Sequence, residues 1–257
     1  MLGKLLKYEW KASGRLLLLI YAALVAIALA GGISLRFGTY DHNRDLLVLI
    51  LALIYMLLVF VMVVVTMVMI VTRFYKNLFS QEGYLMHTLP VPAWQLVASK
   101  AIVGILWVAI GCAVVLVSFG AAFAGAGVLK EAWAAFDLLD MERILAENGV
   151  MILLMLAAVF VQILRIILQA YVSMTIGCAA NKHKILYSVL IFVGIVIVLN
   201  VVTAVVWLTG FTPFDTAFPV LFADYAGIVA QIIFEGILIV LFFVLTNIFI
   251  TKRLNLE

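Results

Sequence analysis

The sequence predicts an all-α integral membrane protein with six transmembrane helices, and three observations predict it. Of 257 residues, 68% are apolar and only 11% are charged. The apolar residues gather in six runs, each long enough to cross a hydrocarbon core of roughly 30 Å at about 1.5 Å per helical residue. The basic residues between those runs are abundant on one side and sparse on the other. Soluble domains carry roughly 45–50% apolar and roughly 25% charged residues. At a mean hydropathy of +1.30, a globule in water would have too few polar groups to cover its surface. A soluble enzyme, a disordered chain and a nucleic-acid-binding module are thereby excluded.

In chain order the spans are read at 16–35, 46–71, 101–128, 149–178, 188–210 and 227–250. Lipid offers no partner for backbone N–H and C=O groups, and unbroken apolar runs of this length satisfy them as helices rather than as barrel strands. The longer runs tilt or extend past the bilayer. Before the first span, Leu2, Leu5, Leu6 and Trp10 recur at helical spacing, with Lys4, Lys7, Lys11 and Arg15 on the other side. Basic residues followed by the run Leu16 to Ala30 also have the outline of a signal peptide. The amphipathic repeat favours instead a short helix lying in the membrane interface.

Orientation follows from Lys and Arg. The N-terminus, the second and fourth loops and the C-terminus hold eleven of them, and the first, third and fifth loops hold four: Arg36, Arg44, Lys130 and Arg143. Both termini are therefore expected in the cytoplasm. Nine of the thirteen acids fall on the opposite side. Two loops exceed what a connection needs. The second, Thr72 to Lys100, starts as a helix through Phe79, reverses at Glu82-Gly83 and is interrupted by Pro90 and Pro92; its apolar Phe74, Leu78, Phe79 and Leu85 need a burial partner. The third, Leu129 to Asn148, reads as an acidic amphipathic helix. The fifth carries Phe211, Pro213, Phe214, Phe218, Pro219 and Phe222, a composition suited to the interface. No internal repeat is visible, and one membrane domain over 1–257 is expected.

The chain has no GxxxxGK[ST] to cradle nucleotide phosphates and no HExxH. Its three histidines, His42, His87 and His183, lie in different loops, so no metal site and no catalytic residue is assigned. Cys112 and Cys178 stand without partners at metal spacing and read as small core residues rather than a disulfide.

The stretch FYKNLFSQEGYLMHTLPV, Phe74 to Val91, resembles the first cytoplasmic loop of bacterial ABC-2 type transporter permeases, in the branch associated with export of, or immunity to, bacitracin, lantibiotics and other peptides. The basic start LLKYEWK, the stretch TIGCAANKHKIL and the ending KRLNLE fit the same pattern. Gln81 and the pair Met86-His87 depart from the family's commoner residues. The resemblance implies a multi-pass permease subunit of the bacterial plasma membrane. It would pair with a second permease, the same or a related chain, and work above two ABC ATPase subunits that bind ATP and Mg; the permease itself binds no cofactor. It further implies that the second loop supplies a cytoplasmic coupling helix, with Phe79, Glu82, Gly83, Tyr84 and Leu85 as the ATPase-coupling residues. The expected function is then an ATP-driven exporter of a peptide antibiotic or another amphiphile, giving resistance to antimicrobial peptides.

Two ionisable residues lie deep in the spans, where charge costs about 2.5–3.5 kcal/mol on insertion scales. Arg165 is flanked at helical spacing by Gln162 and Gln169, and Glu235 stands near Gln231. Three roles are open for this group: a cytoplasmic boundary, a polar cluster holding helices together, or the lining of a substrate path. Stripes of small residues, Ala22, Ala26 and Ala30 in span one and Ser118, Ala122 and Ala126 with Ala121 and Gly125 in span three, are candidate packing surfaces or a permease seam. The rival functions are an ion-gradient-coupled carrier using Arg165 and Glu235, and a membrane scaffold without transport.

Overall fold

The computed structural model describes residues 2–37, 42–79, 92–128, 134, 141–178, 183–208 and 225–253. These form six long helices: α1 (Leu2–Phe37), α2 (His42–Phe79), α3 (Ala93–Ala126), α4 (Met141–Cys178), α5 (Lys184–Leu208) and α6 (Tyr225–Arg253). Each contains a stretch long and apolar enough to cross a membrane: Leu17–Arg36, Leu46–Phe79, Ala93–Ala126, Ala146–Cys178, Lys184–Val205 and Tyr225–Thr251. The protein is a multi-pass helical membrane protein.

The ends of the helices differ from the hydropathy reading for a simple reason. Apolar runs stop at the first charges, whereas backbone hydrogen bonding does not. Helix α2 continues through Arg73 and Lys76 to Phe79, as the residues of the second loop predict, and α3 begins at Ala93, ahead of Lys100. Pro92 sits immediately before α3, where its missing N–H costs nothing, and its carbonyl accepts the Gln95 N–H at 3.0 Å. Helix α1 is continuous from Leu2 to Phe37, so the basic amphipathic segment and the first span are one helix without a break. Most of the third loop lies outside the described residues, and α4 takes up the chain at Met141. At the other end of α3, Gly127 adopts φ 76°. Its N–H reaches the Ala124 carbonyl at 3.1 Å, and the Val128 N–H reaches that of Phe123 at 3.2 Å. This is the paired bonding of a Schellman cap, which glycine enters without a Cβ penalty.

The described chain divides into two compact units. One comprises 6–69 and 106–147. Its core centres on Trp107, which stacks on Trp10 with ring centroids 4.5 Å apart and accepts the Tyr21 hydroxyl on its carbonyl at 3.1 Å. Leu17, Leu24 and Met62 are buried with it. Tyr55 and Ser118 hydroxyls meet at 2.7 Å. The small residues of α3 behave as expected and those of α1 do not: Ala22, Ala26 and Ala30 are exposed, and Tyr21, Leu24 and Ala28 are buried instead. The close approach is made by Gly32. A Cβ there would overlap the Ala122 carbonyl oxygen and lie 3.0 Å from the Ala126 nitrogen, while a Cβ on Gly31 would meet nothing. Gly32→Ala is therefore expected to destabilise by ~1–3 kcal/mol through overpacking. Gly31→Ala should be neutral or stabilising by up to ~1 kcal/mol through helix propensity. Thermal unfolding of the two variants in detergent checks the contrast.

The second unit comprises 1–5, 70–105 and 148–257. Phe74 and Leu78 are fully buried, and Phe74 stacks on Tyr171 with centroids 3.9 Å apart and planes within 7°. Gly104 lets Ile70 and Ile167 close over α3, each 3.4 Å from where a Cβ would stand. Large apolar side chains such as Ile185, Leu190, Val193 and Ile197 of α5 are exposed. In lipid such faces carry no hydrophobic cost, and helices associate through packing and polar contacts.

Candidate functional site

Helix α4 places Gln162, Arg165 and Gln169 at intervals of three and four residues, on one face. Helix α6 does the same with Gln231 and Glu235. The structure brings the two faces together. The Arg165 guanidinium donates through Nε to Glu235 Oε2 at 2.7 Å and through Nη1 to Gln169 Oε1 at 2.6 Å. Gln169, fully buried, passes the chain on by donating from Nε2 to the Phe192 carbonyl of α5 at 3.5 Å. A carboxylate, a guanidinium, a carboxamide and a backbone carbonyl thus link α6, α4 and α5. The charged side chains are only 15% and 11% exposed. At such burial a paired charge is retained and a lone one is expelled or neutralised. Helix α4 does not end at Arg165 but continues through Tyr171 to Cys178.

Beside the pair lies a cavity of about 250 Å³, lined by all five of the polar residues singled out in the sequence. Helix α5 adds Asn200 and Thr203, which the sequence reading passed over. Their signal was present: two polar side chains three residues apart in a helix that is otherwise apolar beyond Ser188. Asn200 donates to the Val196 carbonyl at 2.8 Å and Thr203 to that of Leu199 at 2.9 Å, so each makes a hydrogen bond within its own helix. Asn200 is exposed, which places the mouth of the cavity on the α5 side. Phe192, Val196, Leu199, Phe234 and Leu238 form apolar walls.

Of the coupling residues, Phe79 ends α2, half-buried, with its ring 6.3 Å from that of Tyr75 and 6.0 Å from that of Phe74. Glu82, Gly83, Tyr84 and Leu85 lie outside the described residues. Phe74 and Leu78 need no external burial partner, since this chain buries both. Cys112 is exposed rather than in the core, Cys178 is half-buried, and both are free.

Together these features define a class, a helical membrane protein with a neutralised ion pair and a polar cavity among three of its spans. No family model, curated protein or solved structure matches the chain.

Proposed function

We propose that this chain is the membrane-spanning permease subunit of an ATP-driven ABC exporter in the bacterial plasma membrane. Both termini and the segment after α2 face the cytoplasm. It acts on a peptide or another amphiphile, with a second permease beside it and ABC ATPases beneath. The observation that carries this reading is the segment Phe74 to Val91, whose residues resemble the coupling loop of ABC-2 permeases and which α2 enters without a break. The stack of Phe74 on Tyr171 supports it mechanically. Tyr171 is two residues from Gln169, so a push on the coupling segment reaches α4 where α4 carries the polar cluster. The basic N-terminal part of α1 lies at the cytoplasmic interface in this reading.

Affinity purification of the tagged chain from its native host tests the proposal directly; an ABC ATPase is expected to co-purify, and its absence would remove the proposal's basis. Glu82→Ala and Gly83→Pro should leave membrane abundance unchanged and lower transport per ATP hydrolysed by roughly tenfold, equivalent to ~1.4 kcal/mol of coupling. Transport measured alongside ATPase activity in proteoliposomes checks this.

The Arg165–Glu235 pair favours one second reading, since buried ionisable groups beside a membrane cavity also serve ion-coupled carriers. That reading requires transport to stop with a protonophore or sodium ionophore and to proceed without any ATPase.

A further inference from the structure

The cavity among α4, α5 and α6 contains unmet hydrogen-bonding capacity. Gln231 is 7% exposed and lines it, and its carboxamide makes no hydrogen bond to a described residue. Gln162, half-buried on the same wall, is in the same position. Among the described residues the one side-chain polar atom both enclosed and unpartnered is Trp107 Nε1, so both carboxamides present accessible atoms to the cavity, where a donor and an acceptor can pair with them. Arg165 directs two of its five N–H donors to Glu235 and Gln169, and no hydrogen bond joins it to Gln162 or Gln231. Because the Arg165–Glu235 pair cancels, the charge on the lining sums to zero.

These features restrict the occupant. An ion would enter a low-dielectric cavity whose lining carries no net charge. A purely apolar chain would leave both carboxamides unpaired. Water alone would satisfy the carboxamides, and about 250 Å³ is room for several molecules at roughly 30 Å³ each in the liquid, but it would leave the apolar walls of Phe192, Val196, Leu199, Phe234 and Leu238 wetted. A neutral group with one donor and one acceptor, carried on an apolar body, fits all of them. A carboxamide side chain offers the complementary N–H and C=O edge.

We propose that this cavity is a binding site for the neutral amide group of an amphiphile, with Gln231 and Gln162 pairing to the amide and the aromatic and aliphatic walls holding the adjoining apolar part. The occupant enters from the bilayer past Asn200. Treating it as cargo rests on the exporter reading; occupancy of the cavity does not.

The full chain in lipid nanodiscs, without any ATPase, is photolabelled with a diazirine-bearing N-dodecanoylglycinamide, and the labelled positions are mapped by mass spectrometry. Label is expected at Val196 and Leu199 in excess over the exposed Val193 and Ile197 of the same helix. Unlabelled N-dodecanoylglycinamide should displace it, and the carboxylate N-dodecanoylglycine should not. Gln231→Leu, which removes no hydrogen bond to a described residue, should cut the cavity label roughly tenfold; Gln162→Leu should lower it independently. Label spread evenly over the cavity and lipid faces overturns the proposal. So does equal competition by the carboxylate, or undiminished label in both variants. Because no ATPase is present, any of these failures leaves the exporter reading standing, and failed co-purification of an ATPase leaves the site standing.

Discussion

Glu235→Gln is expected to remove more folded protein from the membrane than Arg165→Gln, although each breaks the same 2.7 Å contact. Breaking a buried pair from one side typically costs ~3–5 kcal/mol, because it strands the other charge. The two remnants are not equivalent. A stranded carboxyl group takes up a proton and becomes neutral, whereas a stranded guanidinium cannot shed its own at any accessible pH. In Glu235→Gln the guanidinium keeps only neutral partners, among them Gln169. The double variant Arg165→Met with Glu235→Leu should recover most of the loss, since apolar replacement of a whole buried pair is often neutral or stabilising. If the cavity is part of the transport path, that double variant will be folded and yet impaired in transport, which separates holding the helices together from handling the occupant. Fluorescence-detected gel filtration after heating supplies the stability order, and a transport assay on the double variant supplies the second distinction. Equal stability of the two single variants would show that the pair sits in water rather than among the spans.

Much of this architecture was legible in the sequence because hydropathy is a local property. Six apolar runs correspond to six helices, and the spacing of Gln162, Arg165 and Gln169 placed them on one face before any packing was known. What could not be read depends on rotation and on partners. The Ala22, Ala26 and Ala30 stripe was a sound candidate by spacing, yet α1 turns Tyr21, Leu24 and Ala28 inward because Trp107 recruits the tyrosine hydroxyl. Of the adjacent Gly31 and Gly32, only Gly32 meets α3, a difference of one residue in helical phase that no composition reveals. That Arg165 meets Glu235 follows from α4 and α6 packing together with α5, across seventy residues of sequence. Asn200 and Thr203 were overlooked for the opposite reason: polar residues in an apolar helix were visible, but their relevance emerged only once α5 was seen to wall the cavity. The continuation of α2 through Arg73 to Phe79 was legible in its residues, whereas the start of α3 at Ala93, ahead of Lys100, was not, because hydropathy marks only the apolar run.

Gly177→Ala should disturb the protein more than its size implies, and through α5. A Cβ at Gly177 would overlap the Ser188 hydroxyl and stand 2.5 Å from the Ser188 nitrogen and 2.6 Å from its Cα. Two of these three are backbone atoms near the start of α5, so no side-chain rotation relieves them and the helix itself must move. The approach to α5 is already constrained, since His183 adopts φ 54° just before it and its carbonyl accepts the Tyr187 N–H at 3.1 Å. Overpacking of this kind typically costs ~1–3 kcal/mol. The displacement also has a reader farther along the helix: the Gln169 bond to the Phe192 carbonyl is already 3.5 Å long, at the outer limit for a hydrogen bond, so α5 cannot withdraw without losing it. Gly194→Ala in the same helix is the opposite case. A Cβ there meets nothing within 4 Å, and exchanging a helical glycine for alanine gains ~0.5–1 kcal/mol. The expected result is a lowered melting temperature with weaker cavity labelling for Gly177→Ala, and an unchanged or raised melting temperature with full labelling for Gly194→Ala. Equal behaviour of the two would mean that α4 and α5 do not meet at Ser188, and the wall that α5 contributes to the cavity would have to be redrawn.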